Sequence, residues 1–357
     1  MPRFRRTSPD APGWTRRRQG RGFVFLGEHG GRLGADDVAR CKALVIPPAW
    51  QDVWMCPVPN GHIQALGTDV AGRRQYLYHP AWREQRNHAK YARITEVAAR
   101  LPAARAKVTE HLDLPGMPRE RALSLAFRLL DVGFFRLGGE GYAEENGSYG
   151  LATIEQQHVC IKGDDVILEY VAKSGQERAL AVQDDAVRDA VRTLLRRRGG
   201  GPGLLAYRDG RRWRDITSDD INGYFKEVVG GEVSAKDFRT WHGTVLAALA
   251  LAQRTDEVES PTRRKKAVRG AMKEVAASLG NTPTVARSSY VDPRVVEQFE
   301  QGVTIEPALS SAPARRSPRT RRKVERAVVF SICSRAEHRR NSGATHICAR
   351  HRHEPHR

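Results

Sequence analysis

An α+β fold in two parts is predicted for this chain: a small β-rich N-terminal domain, then a mainly helical domain interrupted by a small three-stranded sheet. Three observations predict it. Between residues 22 and 82, apolar residues alternate in short runs rich in aromatic and β-branched side chains, broken by Gly, Pro and Asn. Beyond Trp82 the apolar period lengthens to about 3.6 residues. The length, 357 residues, suffices for two domains with hydrophobic cores of their own.

Residues 1–20 are rich in Arg, Pro and Gly without a period, cannot bury enough apolar surface to offset chain entropy, and are expected to be a disordered basic arm. The β-rich domain, 21–84, holds strands in GFVFLGEHGG, QDVWMCPVPNGHIQALG and RRQYLYHP. Pro59-Asn60-Gly61 is its hairpin turn, and 35–42 its one short helix. Over 85–302 the helical period marks amphipathic helices at 91–101, 104–112, 118–135, 185–197, 218–229, 240–254 and 261–279. The interruption, at 158–162, 166–171 and 177–182, reads as three short strands with Gly163-Asp164 and Lys173-Ser174-Gly175 in the turns. From 303 to 357, Ser, Pro, Arg and His follow one another without period. That stretch is expected to be a disordered basic tail.

Lys and Arg number 60 against 41 Asp and Glu, a formal net charge of +19. A polyanionic partner is therefore favoured, nucleic acid first. The excess concentrates at the ends: residues 1–21 hold seven Arg and one Asp, and 303–357 hold thirteen basic and four acidic side chains. Both ends should add sequence-independent attraction that weakens with salt, and should be dispensable for chemistry at low salt. The longest apolar candidate, 244–252, falls far short of the roughly 20 residues of a membrane span, so no membrane partner is expected. The N-terminus lacks the apolar core of a secretory signal, and the five Cys (41, 56, 160, 333, 348) form no CxxC pair. A reducing, cytoplasmic compartment is expected.

The chain contains no GxxxxGK[ST] loop, no GxGxxG after a strand and no HExxH, so neither cofactor nor metal is expected. Cys348, His351, His353 and His356 mimic a metal set, but they fall in a polar tail where ligands need a fixed backbone. Four strings hold a cation or hydroxyl in an unusual context. They are FFRLGGEGYAEENGSYGLATI with Arg136, VAKSG with Lys173 at a hairpin tip, KDFRTWHGT with Arg239, and LGNTPTVARSSYVDP with Asn281 and Tyr290. Singly, each has an ordinary explanation as a surface or capping cation, or an interface aromatic.

Together these strings, with IPPAW (46–50), the DVW and CP segment, NGHIQA (60–65) and GRRQYLYHP (72–80), resemble the type IB DNA topoisomerases of the small bacterial and poxvirus-like branch. The resemblance runs from about residue 21 to 302. It implies a C-shaped clamp around duplex DNA, with a β-rich cap and a helical catalytic domain. It also implies an ATP- and metal-independent enzyme that relaxes supercoils through a transient 3′-phosphotyrosyl link, acting as a monomer in the cytoplasm, at the nucleoid. Residue by residue, it puts the nucleophile at Tyr290, the two catalytic arginines at Arg136 and Arg239, and the general acid at Lys173. Asn281 falls where the family often has His, and can donate one neutral hydrogen bond to a phosphate oxygen but cannot shuttle a proton. His242 is read as a local helix residue rather than a substitute.

The chemistry suits the residue types. A phosphodiester gathers charge on its nonbridging oxygens as it is attacked, and the planar, permanently charged fork of Arg holds two oxygens at once. A Lys among arginines has its charged form disfavoured and is a better acid for the departing 5′ oxygen. Tyrosine, with an ordinary pKa near 10, is only about one part in a thousand ionised at neutral pH and must lose its proton during attack. In the cap, Arg73, Arg74, Gln75, Tyr76 and Tyr78 have the composition of a DNA-contacting strand, with one of the two tyrosines expected in the core. Two other classes compete. A site-specific tyrosine recombinase shares the Arg, Lys, Arg and Tyr set, but usually carries HxxR where this chain has KDFR. A non-catalytic DNA-compacting protein would fit the basic ends and form no covalent adduct.

Overall fold

The computed structural model describes residues 3–139, 147–254, 260–309 and 318–341, the last stretch with side chains over 319–333. Residues 140–146 of the Gly-rich string, with Tyr142, and the terminal Cys348, His351, His353 and His356 lie outside them. Two compact units divide the chain, Met1–Ala92 and Arg93–Arg357.

In the first unit, β1 (Trp14–Gln19), β2 (Gly22–Leu26), β3 (Gln51–Met55), β4 (Ile63–Thr68) and β5 (Arg74–Tyr78) form one antiparallel sheet in the order β2-β1-β3-β4-β5. Its small core joins Phe25, Val53, Met55 and Ala65 to Cys41 of α1 (Ala35–Ala43). The expectation of a disordered arm over 1–20 is overturned, because β1 lies between β2 and β3. Composition misled here because an Arg-rich segment can fold when its backbone completes a ladder and its aliphatic stems cover aromatic rings. The Arg16 guanidinium sits 4.1 Å from the Phe23 ring centroid and donates to the carbonyls of Ile46 and Trp50, each at 3.1 Å. Upstream, Arg5 exchanges backbone bonds of 3.0 Å with Asn60 and His62. Deleting residues 1–20 is therefore expected to abolish the cooperative thermal transition of this unit; an unchanged transition in the truncated chain would overturn that.

The second unit opens inside α2 (Pro80–Leu112), a continuous helix where the sequence predicted a domain boundary at 84/85 and two helices. Pro102 removes one backbone bond from the interior of α2. Leu101, Ala104, Val108 and Leu112, all at most 1% exposed on both sides of it, show why packing holds the helix together. Next come α3 (Arg119–Gly133), β6 (Val159–Lys162), β7 (Asp165–Ala172) and β8 (Gln176–Val182), and α4 (Asp185–Leu195). The strands pair in the order β6-β7-β8, as predicted. A further hairpin, β9 (Ala206–Asp209) and β10 (Arg212–Asp215), was not predicted; four residues per strand are too short to show a period. It leads to α5 (Ser218–Val229), α6 (Ala235–Ala252), α7 (Pro261–Leu279) and α8 (Pro293–Glu300).

Helix α6 starts five residues before its predicted start at 240, because the Asp237 carboxylate accepts from the Ser234 backbone N–H at 2.9 Å and closes the first turn. That extension puts Arg239 inside the helix. The centre of this unit is α3, whose Phe127 ring lies 4.7 Å from that of Phe225 and 5.0 Å from that of Phe238.

The disordered tail expected over 303–357 is also corrected for 303–309 and 318–341; 310–317 and 342–357 lie outside the described residues. One helical turn forms at Glu306–Leu309, and α9 (Pro318–Asn341) buries Val324, Val328 and Ile332 against the main core. These apolar residues recur every four positions, but the basic cluster just before them, Arg319, Arg321, Arg322 and Lys323, dominates a compositional reading. Among the described residues no helix is long and apolar enough to cross a membrane.

Candidate active site

The last carbonyls of a helix have no partner within it and attract cations. At the end of α7 they gather three arginines from three different elements. Arg178 of β8 donates to the carbonyls of Ala277 (3.2 Å) and Ser278 (2.9 Å), Arg239 of α6 to that of Leu279 (2.6 Å), and Arg136 to that of Gly280 (2.7 Å). Arg178 was not singled out from the sequence, where a lone Arg in a strand carries no signal. Its role follows from β8 passing the end of α7.

Arg136 is placed by the turn after α3. The helix ends at Phe134, whose φ of 55° is left-handed. Two backbone bonds follow, Leu151 N–H to Arg136 O at 2.8 Å and Ala152 N–H to Leu137 O at 2.7 Å. Gly138 and Gly150 cross so closely there that a Cβ on Gly150 would stand 2.4 Å from the Gly138 Cα. Gly138 and Gly150 of this string thus serve a close backbone crossing.

Arg239 is 5% exposed, donates to the Phe134 carbonyl, and holds its guanidinium carbon 5.2 Å from the Tyr290 ring centroid. Burial above all pulls its pKa down to about 10; the Tyr290 phenol opposes this, while Arg136 and Arg178 reinforce it. It remains a cation at neutral pH, crowded by like charges.

Tyr290 ends a π-helical turn, Ala286–Tyr290, that follows a Thr282-capped turn after α7. The Ser-containing segment around it is thus regular structure. Its backbone is seated on α6. A Cβ on Gly243 would lie 2.6 Å from the Tyr290 carbonyl oxygen, so only Gly allows this approach. Thr244 Oγ1 then accepts from the Asp292 N–H at 3.1 Å. A Gly in the middle of a helix, costly by about 1 kcal/mol relative to Ala, was the signal available in KDFRTWHGT.

Asn281 follows the Gly280 cap of α7. Its Oδ1 accepts from Arg136 Nη2 at 2.5 Å, which fixes the amide orientation and leaves buried Nδ2 with no acceptor among the described residues. Arg239 Nε is likewise buried with no acceptor among the described residues. Beside them, Arg136, Arg239, Tyr290, Lys236, Ser234 and Asn222 line an open cleft of about 310 Å³. Arg136, Arg239, Asn281 and Tyr290 are thereby brought together. Lys173 sits exposed in the turn between β7 and β8, where Ser174 takes a left-handed φ of 67°, and does not line this cleft. His242 is buried in α6, beyond Trp241.

In the first unit, strand alternation decides the five candidate contacts. Arg74, Tyr76 and Tyr78 share the exposed face of β5, the two rings stacked at 6.1 Å. The tyrosine expected in the core is not there; both are just over 40% exposed, and Leu77 packs inward instead. Arg73 pairs with Asp69 at 2.9 Å, and Gln75 donates to the same carboxylate at 2.9 Å.

Comparison with known proteins bears on both units. Residues 79–307 match the family described as eukaryotic DNA topoisomerase I, catalytic core, and residues 22–69 match the bacterial DNA topoisomerase IB N-terminal domain. The chain is 30% identical over 271 residues to DNA topoisomerase 1B of Acanthamoeba polyphaga mimivirus, covering 74% of this chain and 80% of that protein. It is 21% identical over 241 residues to DNA topoisomerase I of Monkeypox virus and to DNA topoisomerase 1B of Vaccinia virus (strain Copenhagen), covering 66% of this chain and 72% of each.

Proposed function

This chain belongs to the type IB DNA topoisomerases, and from that premise we propose that the cluster at the end of α7 is its cleavage and religation site. The observation that carries the reading is the pair of buried donors without acceptors among the described residues, Arg239 Nε and Asn281 Nδ2, set among three guanidiniums. A buried N–H left unsatisfied costs about 1–3 kcal/mol, and nonbridging phosphate oxygens are the acceptors that fit a cationic surround.

In this mechanism duplex DNA presents its scissile phosphate to Arg136, Arg239 and Asn281, which meet the charge that builds on the nonbridging oxygens. Tyr290 Oη attacks phosphorus and loses its proton, eased by the adjacent Arg239. The bond to the 5′ oxygen breaks, and Lys173 delivers a proton to that oxygen when DNA closes the β7–β8 turn over the site. One phosphodiester is exchanged for another, so neither ATP nor a metal is required for balance. While the 3′-phosphotyrosyl link lasts, the DNA beyond the nick rotates and loses supercoils; the 5′ hydroxyl then reverses the step. Arg74, Tyr76 and Tyr78 grip backbone and groove from the cap, and the two units act as one clamp on the duplex. The protein works as a monomer in the cytoplasm, on nucleoid DNA.

The deciding experiment incubates the protein with supercoiled plasmid in EDTA without ATP. A ladder of relaxed topoisomers is expected for either supercoil sign, and a requirement for magnesium or ATP would overturn the mechanism. Asn281→Ala is expected to slow single-turnover cleavage by about ten- to a thousandfold, the cost of one transition-state donor. Asn281→His should retain substantial activity. Parent-rate cleavage by the Ala variant would remove Asn281 from the site.

A further inference from the structure

The two clamp arginines are set by separate helices, Arg136 in the turn just past α3 and Arg239 in the second turn of α6, and something must fix their separation. Five residues before Arg136, Asp131 is 1% exposed; three residues after Arg239, His242 is 3% exposed. Their side chains meet, His242 Nε2 lying 3.4 Å from Asp131 Oδ1.

The C-terminal helix α9 closes on this pair. Arg321 grips the Asp131 carboxylate with Nη1 at 2.9 Å and Nη2 at 2.5 Å, donates to the Asp131 carbonyl at 3.1 Å, and stands 3.2 Å from His242 Nε2. Arg105 of α2 holds the same carboxylate at 2.9 and 3.0 Å and binds Glu325 at 2.6 and 2.8 Å. Glu325, one turn beyond Arg321, accepts from Trp241 Nε1 at 3.4 Å. Burial alone would raise the Asp131 carboxyl, but Arg321, His242 and Arg105 outweigh it and keep it ionised. The helix that supplies Arg321 and Glu325 starts beyond both matched family regions, which end at residues 69 and 307.

We propose that Arg321 is a positioning residue for DNA cleavage: through Asp131 and His242 it ties α3 to α6 and sets the spacing of Arg136 and Arg239. The C-terminal helix is then part of the catalytic apparatus. This rests on reading those two arginines as the phosphate clamp. Its energetic basis is geometric, since a misplacement of about 1 Å caused far from the reacting atoms can slow catalysis by about 10²-fold. The bidentate fork of Arg321 is what fixes the spacing, and Lys would keep the charge but lose the fork.

The test uses the full chain, below its melting transition, with single-turnover cleavage at saturating enzyme and DNA affinity measured separately. Arg321→Ala should cleave about 10²-fold more slowly and Arg321→Lys about tenfold more slowly, both with parent DNA affinity. In an Arg239→Ala background the further effect of Arg321→Ala should largely vanish, because the residue acts through the clamp; a purely structural role would multiply in full. Should Arg321→Ala fail to fold, Arg321→Lys carries the test. Parent-rate cleavage by a folded Arg321 variant, or full multiplicativity with Arg239→Ala, overturns the proposal while leaving the clamp intact. Parent-rate cleavage by Arg239→Ala itself overturns the clamp reading, and this proposal with it.

Discussion

Tyr290→Phe is expected to fold and bind duplex DNA like the parent chain, yet form no covalent adduct and relax no supercoils. The change removes one hydroxyl. The backbone that seats the residue, a π-helical turn closed against Gly243 and Thr244 of α6, keeps every contact described for it. In the proposed mechanism the phenol beside Arg239 is the nucleophile, so without its oxygen no bond to phosphorus can form and the loss should be complete rather than partial. Denaturing the parent protein on end-labelled DNA should trap it on the 3′ side of the nick and leave a 5′ hydroxyl that a kinase can label. A 5′ linkage, or adduct formed by the Phe variant, would overturn the assignment.

Lys173→Ala is expected to lower cleavage of ordinary DNA by about 10²- to 10⁴-fold, the range for loss of a general acid. The alkoxide that leaves on the 5′ side is a poor leaving group unless protonated, and Lys173 occupies the exposed tip of a β-hairpin, which in the proposed mechanism DNA closes over the phosphate. Replacing the 5′ oxygen by sulfur gives a leaving group that needs no proton. The same variant should then cleave near the parent rate, whereas Arg239→Ala should not be rescued, because charge on the nonbridging oxygens is unaffected by the sulfur. Absence of rescue for Lys173→Ala would assign Lys173 another role.

Arg321 belongs to a tail that looked structureless, and the two ends of the chain show where compositional reading fails. Residues 14–19 hold three arginines in six and 318–341 seven in 24, and a hydropathy argument treats arginine as solvent-seeking. In the folded protein Arg16 spends its donors on backbone carbonyls, and Arg321 on a buried carboxylate. Neither partner is near in sequence: Asp131 is 190 residues from Arg321. The β9–β10 hairpin was missed for a different reason, its strands being too short to establish a period.

The sequence by itself determined the two-part α+β plan, the bounds of α5 and α7, the three-stranded sheet with Lys173 in its turn, and the strings that carry Arg136, Arg239, Asn281 and Tyr290. These are local properties, written in apolar period, capping residues and turn chemistry over a few neighbouring positions. Only the tertiary structure decided which cations converge. The unpaired carbonyls at the end of α7 draw Arg136, Arg178 and Arg239 from elements far apart in the chain, and a Gly243 in α6 lets Tyr290 come close to them. A helix end has fixed geometry but chooses its partners through space, so its charge requirement leaves no mark at the positions that satisfy it.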